Sequence, residues 1–154
     1  MAQLTVGDKA PDFSLSGNDG KKYSLKDFKG KKLVLYFYPK DDTSGCTKEA
    51  CSFRDNLSLI KKKGAVIIGV SPDDTPSHEK FITKYDINFT LLSDESKDML
   101  KAYGVWKEKS MYGRKYMGVE RTTFIIDEKG KLSHIFTKVK VDGHTEAVLT
   151  ALAE

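Results

Sequence analysis

The residues with the clearest chemical potential lie in one stretch, Pro39-Lys40-Asp41-Asp42-Thr43-Ser44-Gly45-Cys46-Thr47-Lys48-Glu49-Ala50-Cys51. It holds both cysteines of the 154-residue chain, Cys46 and Cys51. Before it, Leu33-Val34-Leu35-Tyr36-Phe37-Tyr38 is a continuous apolar run. That pattern suits a strand buried on both faces, and Pro39, which cannot donate to a ladder, ends it. Asp41 to Ser44 are turn and N-cap residues. From Thr47 the spacing turns helical, with Ala50, Phe53, Leu57 and Ile60 on one stripe. Cys46 is therefore expected in the first turn of a helix that follows a strand. Unpaired backbone N–H groups and the helix dipole both stabilise a thiolate at such a place, so Cys46 is expected to be a reactive nucleophile.

Cys51 follows five positions later. In an unbroken helix that spacing offsets two residues by about 7.5 Å along the axis and by roughly 140° around it. A disulfide needs converging side chains and Cα atoms within roughly 7 Å. The two cysteines should therefore not bond while the helix is intact, and bonding requires its first turns to unwind.

The spacing Pro39-x-x-x-Thr43-x-x-Cys46 resembles the active-site signature of the peroxiredoxins. The second cysteine five residues on resembles their bacterioferritin comigratory protein branch, also called peroxiredoxin Q. Similarity extends over nearly the whole chain: Val6 to Phe13, Ser71-Pro72-Asp73, Tyr103-Gly104-Val105-Trp106 and Arg121-Thr122-Thr123-Phe124-Ile125-Ile126-Asp127. The resemblance implies a thiol peroxidase acting on hydrogen peroxide and alkyl hydroperoxides. Cys46 would be the peroxidatic nucleophile and pass through a sulfenic acid. Cys51 would be the resolving cysteine, closing an intramolecular disulfide that thioredoxin or a similar dithiol reduces. Thr43 would place its hydroxyl on the sulfur or the peroxide, Pro39 would shape the pocket and exclude water, and Arg121 would bring its guanidinium beside the sulfur. The resemblance also implies a monomer.

Simpler roles stand beside these. Thr43 is equally an N-cap, a lone arginine is usually a surface ion-pair partner, and Cys51 fits a plain helix cysteine. Glu49 reads as a first-turn acid matched to the dipole and is placed outside the core site. Trp106 reads as packing. His78, His134 and His144 lack metal-ligand spacing and read as surface or structural residues. Three rival functions compete with this one. A thioredoxin-like disulfide oxidoreductase would want Cys-x-x-Cys, and here four residues intervene. A zinc or interaction module would need more ligands than two cysteines and scattered histidines. A redox sensor would use the same cysteines and differ in where the disulfide ends up.

The elements that must position these residues follow from the rest of the pattern. Phe13 to Ser16 and Lys21 to Leu25 flank Gly17-Asn18-Asp19-Gly20 and predict a hairpin. Leu33–Tyr38, the cysteine-bearing helix running to Gly64, and Ala65–Val70 form a βαβ unit. Lys61-Lys62-Lys63 is a solvated helix end. Thr75-Pro76 opens another helix, Leu91–Ser93 is a short strand, and Ser96–Tyr103 a further helix. Lys107–Gly118 lacks a clear period and reads as a loop. Thr122–Ile126 and Leu132–Val139 flank Asp127-Glu128-Lys129-Gly130 as a second hairpin, and Gly143–Leu152 is a final helix. This order predicts an α/β fold, a mixed central sheet flanked by helices. The resemblance implies a thioredoxin-like fold with a short N-terminal β-hairpin extension, in one domain over residues 1–154.

Composition narrows the partners. The net charge of +4 arises from 26 basic and 22 acidic residues, interspersed. No aromatic-studded basic stripe marks a nucleic-acid binder. No apolar run reaches membrane-spanning length, and the N-terminus shows no basic region followed by an apolar one. Two cysteines fall short of a disulfide framework and suit a reducing compartment, so a cytoplasmic location is expected. No metal or organic cofactor is expected.

Overall fold

The computed structural model describes residues 3–154. Among these, strands β1 (Ser14–Gly17), β2 (Lys22–Ser24), β3 (Lys32–Phe37), β4 (Ala65–Ser71), β5 (Thr90–Ser93), β8 (Thr122–Ile126) and β9 (Leu132–Phe136) build a seven-stranded sheet in the order β2-β1-β5-β4-β3-β8-β9. β6 (Trp106–Met111) and β7 (Arg114–Val119) pair separately as a two-stranded ribbon. Helices α1 (Ser44–Asp55), α2 (Leu57–Lys62), α3 (Thr75–Tyr85), α4 (Asp98–Ala102) and α5 (His144–Leu152) complete the fold. The mixed, helix-flanked sheet is the architecture expected. The N-terminal hairpin is part of that sheet, because β1 pairs antiparallel with β5.

β3 is the centre of the molecule. It pairs parallel with β4 and antiparallel with β8. Its residues alternate between two cores. Val34, Tyr36 and, just past its end, Tyr38 face the cluster built with Cys46, Ala50, Phe53, Ile60 and Val148. Leu33, Leu35 and Phe37 face the one built with Met99, Leu100, Tyr103 and Phe124. A strand covered on both faces has no polar side to display, which is why its sequence reads as unbroken apolar residues.

Four expectations need correction. The helix expected to run on to Gly64 is broken: α1 ends at Asp55 and α2 begins at Leu57. Between them Asn56 bonds its own Nδ2 to the Ser52 carbonyl at 2.8 Å, the local competition that makes asparagine a poor helix interior residue. The expected loop Lys107–Gly118 is the β6–β7 ribbon. Its turn is Tyr112-Gly113, both with positive φ (52° and 77°), as a tight hairpin turn requires. Its exposed, mostly polar strands carry no apolar alternation, so the pairing left no hydrophobic signature. The helix expected over Ser96–Tyr103 covers only Asp98–Ala102, and the last strand stops at Phe136.

Gly69 in β4 shows how tightly the sheet centre is filled. A Cβ at this position would lie 2.7 Å from Leu91 Cδ2 and 2.8 Å from Tyr36 Cζ. Gly69→Ala should therefore lower stability by about 1–3 kcal/mol through overpacking. Urea unfolding of the variant checks this, and an unchanged midpoint would show that Tyr36 moves without strain.

Candidate active site

α1 begins beyond the C-terminal end of β3, and its first intrahelical bond runs from the Thr47 amide to the Thr43 carbonyl at 2.8 Å. The amides of Ser44, Gly45 and Cys46 thus have no intrahelical acceptor. Cys46 is the third helical residue and is 1% exposed. It shares a buried stripe with Glu49, Ala50 and Phe53.

Arg121 reaches this point from the other end of the sequence. In the antiparallel β3–β8 pair, Phe37 faces Thr122. Arg121, one residue before β8, therefore leaves the sheet at the edge where β3 hands over to α1. Its Nη2 donates to Cys46 Sγ at 3.3 Å, and its Nη1 donates to Glu49 Oε1 at 2.6 Å. Gly45 makes room for this: a Cβ there would stand 3.2 Å from Arg121 Nη2.

Glu49, placed outside the site on sequence, belongs to it. It is 2% exposed. Burial raises its carboxyl to about 7, against the opposing pull of Arg121 through charge and hydrogen bonding. A signal was available: Glu49 is three residues after Cys46, and residues three apart share a helix face. Tyr36 lies within reach of the same charges. Burial first, then Glu49 and Cys46, push its phenol well above the ordinary range. Its hydroxyl and Glu49 Oε2 have no hydrogen-bond partner among the described residues.

Thr43 occupies the N-cap position, but its hydroxyl donates to the Lys40 carbonyl at 2.9 Å, and no side-chain cap bond forms. Pro39 is half-buried just past β3. Cys51 lies on the same continuous α1 as Cys46 and is partly exposed, and both are free thiols. The structure thus joins Cys46 to Arg121 and places Thr43, Pro39 and Cys51 on the adjoining turn and helix.

The loop before Cys46 is pinned to α3. Asp41 accepts from Tyr38 Oη at 2.6 Å and from Ser77 Oγ at 2.7 Å, and its Oδ2 lies 2.7 Å from His78 Nδ1. His78 Nε2 faces the Leu92 carbonyl at 3.0 Å. Both ring nitrogens of His78 are thus held by buried oxygen atoms, one from a side chain and one from the backbone. Asp73 Oδ2 in turn accepts from the Asp41 amide at 2.8 Å. Asp41, Asp73 and His78 converge closely enough to suggest a metal, yet each is already engaged, Asp41 with His78, and Asp73 with the Asp41 amide and Ser71 Oγ. Asp42 accepts from Lys84 Nζ at 2.8 Å and from Tyr85 Oη at 2.7 Å. Of the histidines, His78 and His144 are buried structural groups. Burial, then Arg121, lower His144 to about 4. Trp106 packs against the second core, as expected.

Comparison with known proteins identifies the family. The AhpC/TSA family profile matches residues 6–135. The chain belongs to the AhpC/TSA family and is a peroxiredoxin. It is 48% identical over 151 residues to peroxiredoxin Bcp of Bacillus subtilis, covering 98% of this chain and 96% of that protein. A cysteine variant of Xylella fastidiosa peroxiredoxin Q superposes with a TM-score of 0.94 at 35% identity, over 99% of this chain and 98% of the other. The bacterioferritin comigratory protein of Xanthomonas campestris superposes with a TM-score of 0.88 at 42% identity, over 92% and 90%. This peroxiredoxin has the thioredoxin-like fold and the thiol-dependent peroxidase activity of its family. Among the described residues, no helix is long and apolar enough to cross a membrane.

Glu49 sets a pH dependence. Its folded value of about 7 is above the ordinary 4.5. Its contribution to stability is fully present below pH 4.5 and is lost as pH rises through 7, by up to about 3 kcal/mol from a shift of this size. Glu49→Gln should remove this loss, so that the wild type falls relative to the variant between pH 4.5 and 7.5 in chemical denaturation. Parallel curves would show that Arg121 fully offsets the burial cost.

Proposed function

We propose that Cys46 is the peroxidatic nucleophile of a hydroperoxide-reducing cycle. The observation that carries this reading is the Arg121 guanidinium at 3.3 Å from Sγ, at the open amides of a helix start. A fixed cation and unpaired N–H groups face the sulfur and the negative charge that spreads from it during attack. The thiolate attacks the terminal oxygen of the hydroperoxide. The O–O bond breaks, Cys46 becomes a sulfenic acid, and the second oxygen leaves as water or an alcohol once protonated. Arg121 and the amides of Ser44 to Cys46 face the negative charge that spreads over sulfur and oxygen. Thr43 joins them by turning its hydroxyl away from Lys40, and Pro39 shields the site from water. The Xanthomonas campestris relative has an alkyl peroxide reduction activity, which supports alkyl hydroperoxides as well as hydrogen peroxide as substrates here.

Cys51 then condenses with the sulfenic acid, releasing water and closing a Cys46–Cys51 disulfide. A dithiol protein of the thioredoxin kind reduces it by exchange. For the disulfide to close, the first turns of α1 unwind. The break at Asn56 keeps that opening from propagating into α2. The contacts to be given up tie α1 to the C-terminal segment: the Lys48–Asp142 ion pair ahead of α5, and the 2.6 Å bond between Ser52 Oγ and Thr145 Oγ1 on α5. Because both cysteines lie on one helix, a single domain working as a monomer suffices, and the cycle suits a reducing, cytoplasmic setting.

Two experiments test this. Rapid-mixing thiol assays with one equivalent of hydrogen peroxide should show wild type losing both thiols orders of magnitude faster than free cysteine. Cys46→Ser should be inert. Cys51→Ser should consume one equivalent and then stop with thioredoxin. Full turnover by Cys51→Ser would remove Cys51 from the resolving role, and fast insulin reduction by the wild type would favour a disulfide oxidoreductase. Gly45→Ala, which crowds Arg121, should slow the first oxidation on the order of 10-fold or more, as misplaced groups do. An unchanged rate would separate Arg121 from the chemistry.

A further inference from the structure

Lys109 lies on β6, outside the cysteine loop. The register pairs Lys107 with Gly118, Lys109 with Tyr116 and Met111 with Arg114, so these six residues share one face of the ribbon. Other lysines of the ribbon have acidic partners: Lys107 meets Glu120 at 2.8 Å, and Lys115 meets Glu108 at 3.6 Å. Lys109 has no carboxylate oxygen within 4.0 Å among the described residues. It is nonetheless partly buried. Its stem lies across Gly118, where a Cβ would stand 3.3 Å from Lys109 Cδ and 3.5 Å from Cε. Passing over Gly118 carries the stem along β7 toward Glu120 and Arg121, which is the approach to Cys46. Burial and then Arg121 hold the ammonium below the ordinary lysine range, and Cys46 and Glu120 pull it back up.

This unpaired cation meets a need that the other groups leave open. Hydroxide and alkoxides are poor leaving groups, since water itself has a pKa of about 15.7. Arg121 stabilises charge but does not give up a proton, and the Thr43 hydroxyl, even once turned from the Lys40 carbonyl into the site, is as weak an acid as water itself. We propose that Lys109 is a catalytic residue of the peroxidase reaction, its ammonium donating a proton to the oxygen that leaves. The inference rests on Cys46 being the peroxidatic thiol. The thiolate forms the S–O bond, and the electron pair of the O–O bond goes to the departing oxygen. That oxygen takes a proton from Lys109 and leaves as water or alcohol, and Lys109 regains a proton from solvent. Sulfur is oxidised and the peroxide reduced by two electrons, with no further reactant. Of the charged groups that act on the ammonium, Arg121 lowers it and Cys46 and Glu120 raise it, while Tyr116 and Lys107 share its face of the ribbon.

The test is stopped-flow oxidation of Cys46 by three oxidants of rising leaving-group basicity: peracetic acid, hydrogen peroxide and tert-butyl hydroperoxide. Lys109→Met keeps the apolar stem and removes the acid. It should slow the reaction with hydrogen peroxide about 100-fold, the usual scale of a lost general acid. The loss should be larger with tert-butyl hydroperoxide and only a few-fold with peracetic acid. Wild type should slow on the alkaline side as Lys109 loses its proton, and Lys109→Met should lack that limb. Lys109→Arg should stay close to Lys109→Met, because it restores charge without a transferable proton. Gly118→Ala, which displaces the stem, should lose activity in the same oxidant order but by less. Rates for Lys109→Met within twofold of wild type, an equal loss with all three oxidants, or full recovery in Lys109→Arg would each overturn the proposal. Wild type reacting no faster than free cysteine with any oxidant would instead overturn the reading of Cys46 itself, and this one with it.

Discussion

One guanidinium holds sulfur on one side and a buried carboxylate on the other, and the site is organised by that bridge. Even a half-buried arginine is costly unless anions compensate it. Cys46 serves that need only while its sulfur is a thiolate. Once sulfur carries oxygen or closes a disulfide, that anion is gone, and Glu49 remains to hold Arg121. The pairing explains why an acid sits in a buried stripe beside Ala50 and Phe53. It also ties two chain segments together: Arg121 is positioned by the β3–β8 register, and Cys46 and Glu49 by the start of α1. Any shift of one strand against the other would separate the sulfur from its cation.

The surroundings divide into a part held rigid and a part free to open. Asp41 and Asp42 fasten the Pro39–Thr43 loop to α3 through His78, Ser77, Lys84 and Tyr85. Truncating one member of the buried Asp41–His78 pair would leave the other group uncompensated, so the loop resists movement. α1, in contrast, is limited at its far end by Asn56, and its polar ties to the C-terminal segment are the Ser52–Thr145 bond to α5 and the Lys48–Asp142 pair ahead of it. The thiol therefore rests on a fixed loop, while the helix that carries both cysteines can change.

Much of this was legible in the chain itself. Leu33–Tyr38 reads as a doubly covered strand because both its faces are apolar, and Cys46 reads as a helix-start thiol because Pro39 and the turn residues precede it. Arg121 was visible only through likeness to a family, since no local pattern predicts that residues 75 positions apart will meet. Glu49 was misjudged because a first-turn acid has an ordinary explanation at the surface, and burial is a tertiary fact. The β6–β7 ribbon was missed for a related reason. Its strands face solvent on most positions, so pairing is driven by backbone bonds and the Tyr112-Gly113 turn rather than by an apolar period. His78 and His144 gave no sign of burial, because their partners come from elements far away in sequence.

The cost of burying Glu49 bears on how α1 opens. Short helices are marginal in water without tertiary packing, and α1 is held mainly by its buried stripe. In the first two turns that stripe consists of Cys46, Glu49 and Ala50, while the large apolar anchor, Phe53, comes later. Unwinding those turns sacrifices little apolar area. It also returns Glu49 to water, where its carboxyl regains the ordinary range and the burial penalty is released. That release opposes the loss of the Arg121 bridge, grows as pH rises from 4.5 and is complete once the buried carboxyl itself ionises near pH 7. The same residue that secures the cation in the closed helix thus reduces the free energy needed to open it. The spacing of Cys46 and Cys51, unworkable in an intact helix, is workable in one whose first turns are held by a group that prefers solvent.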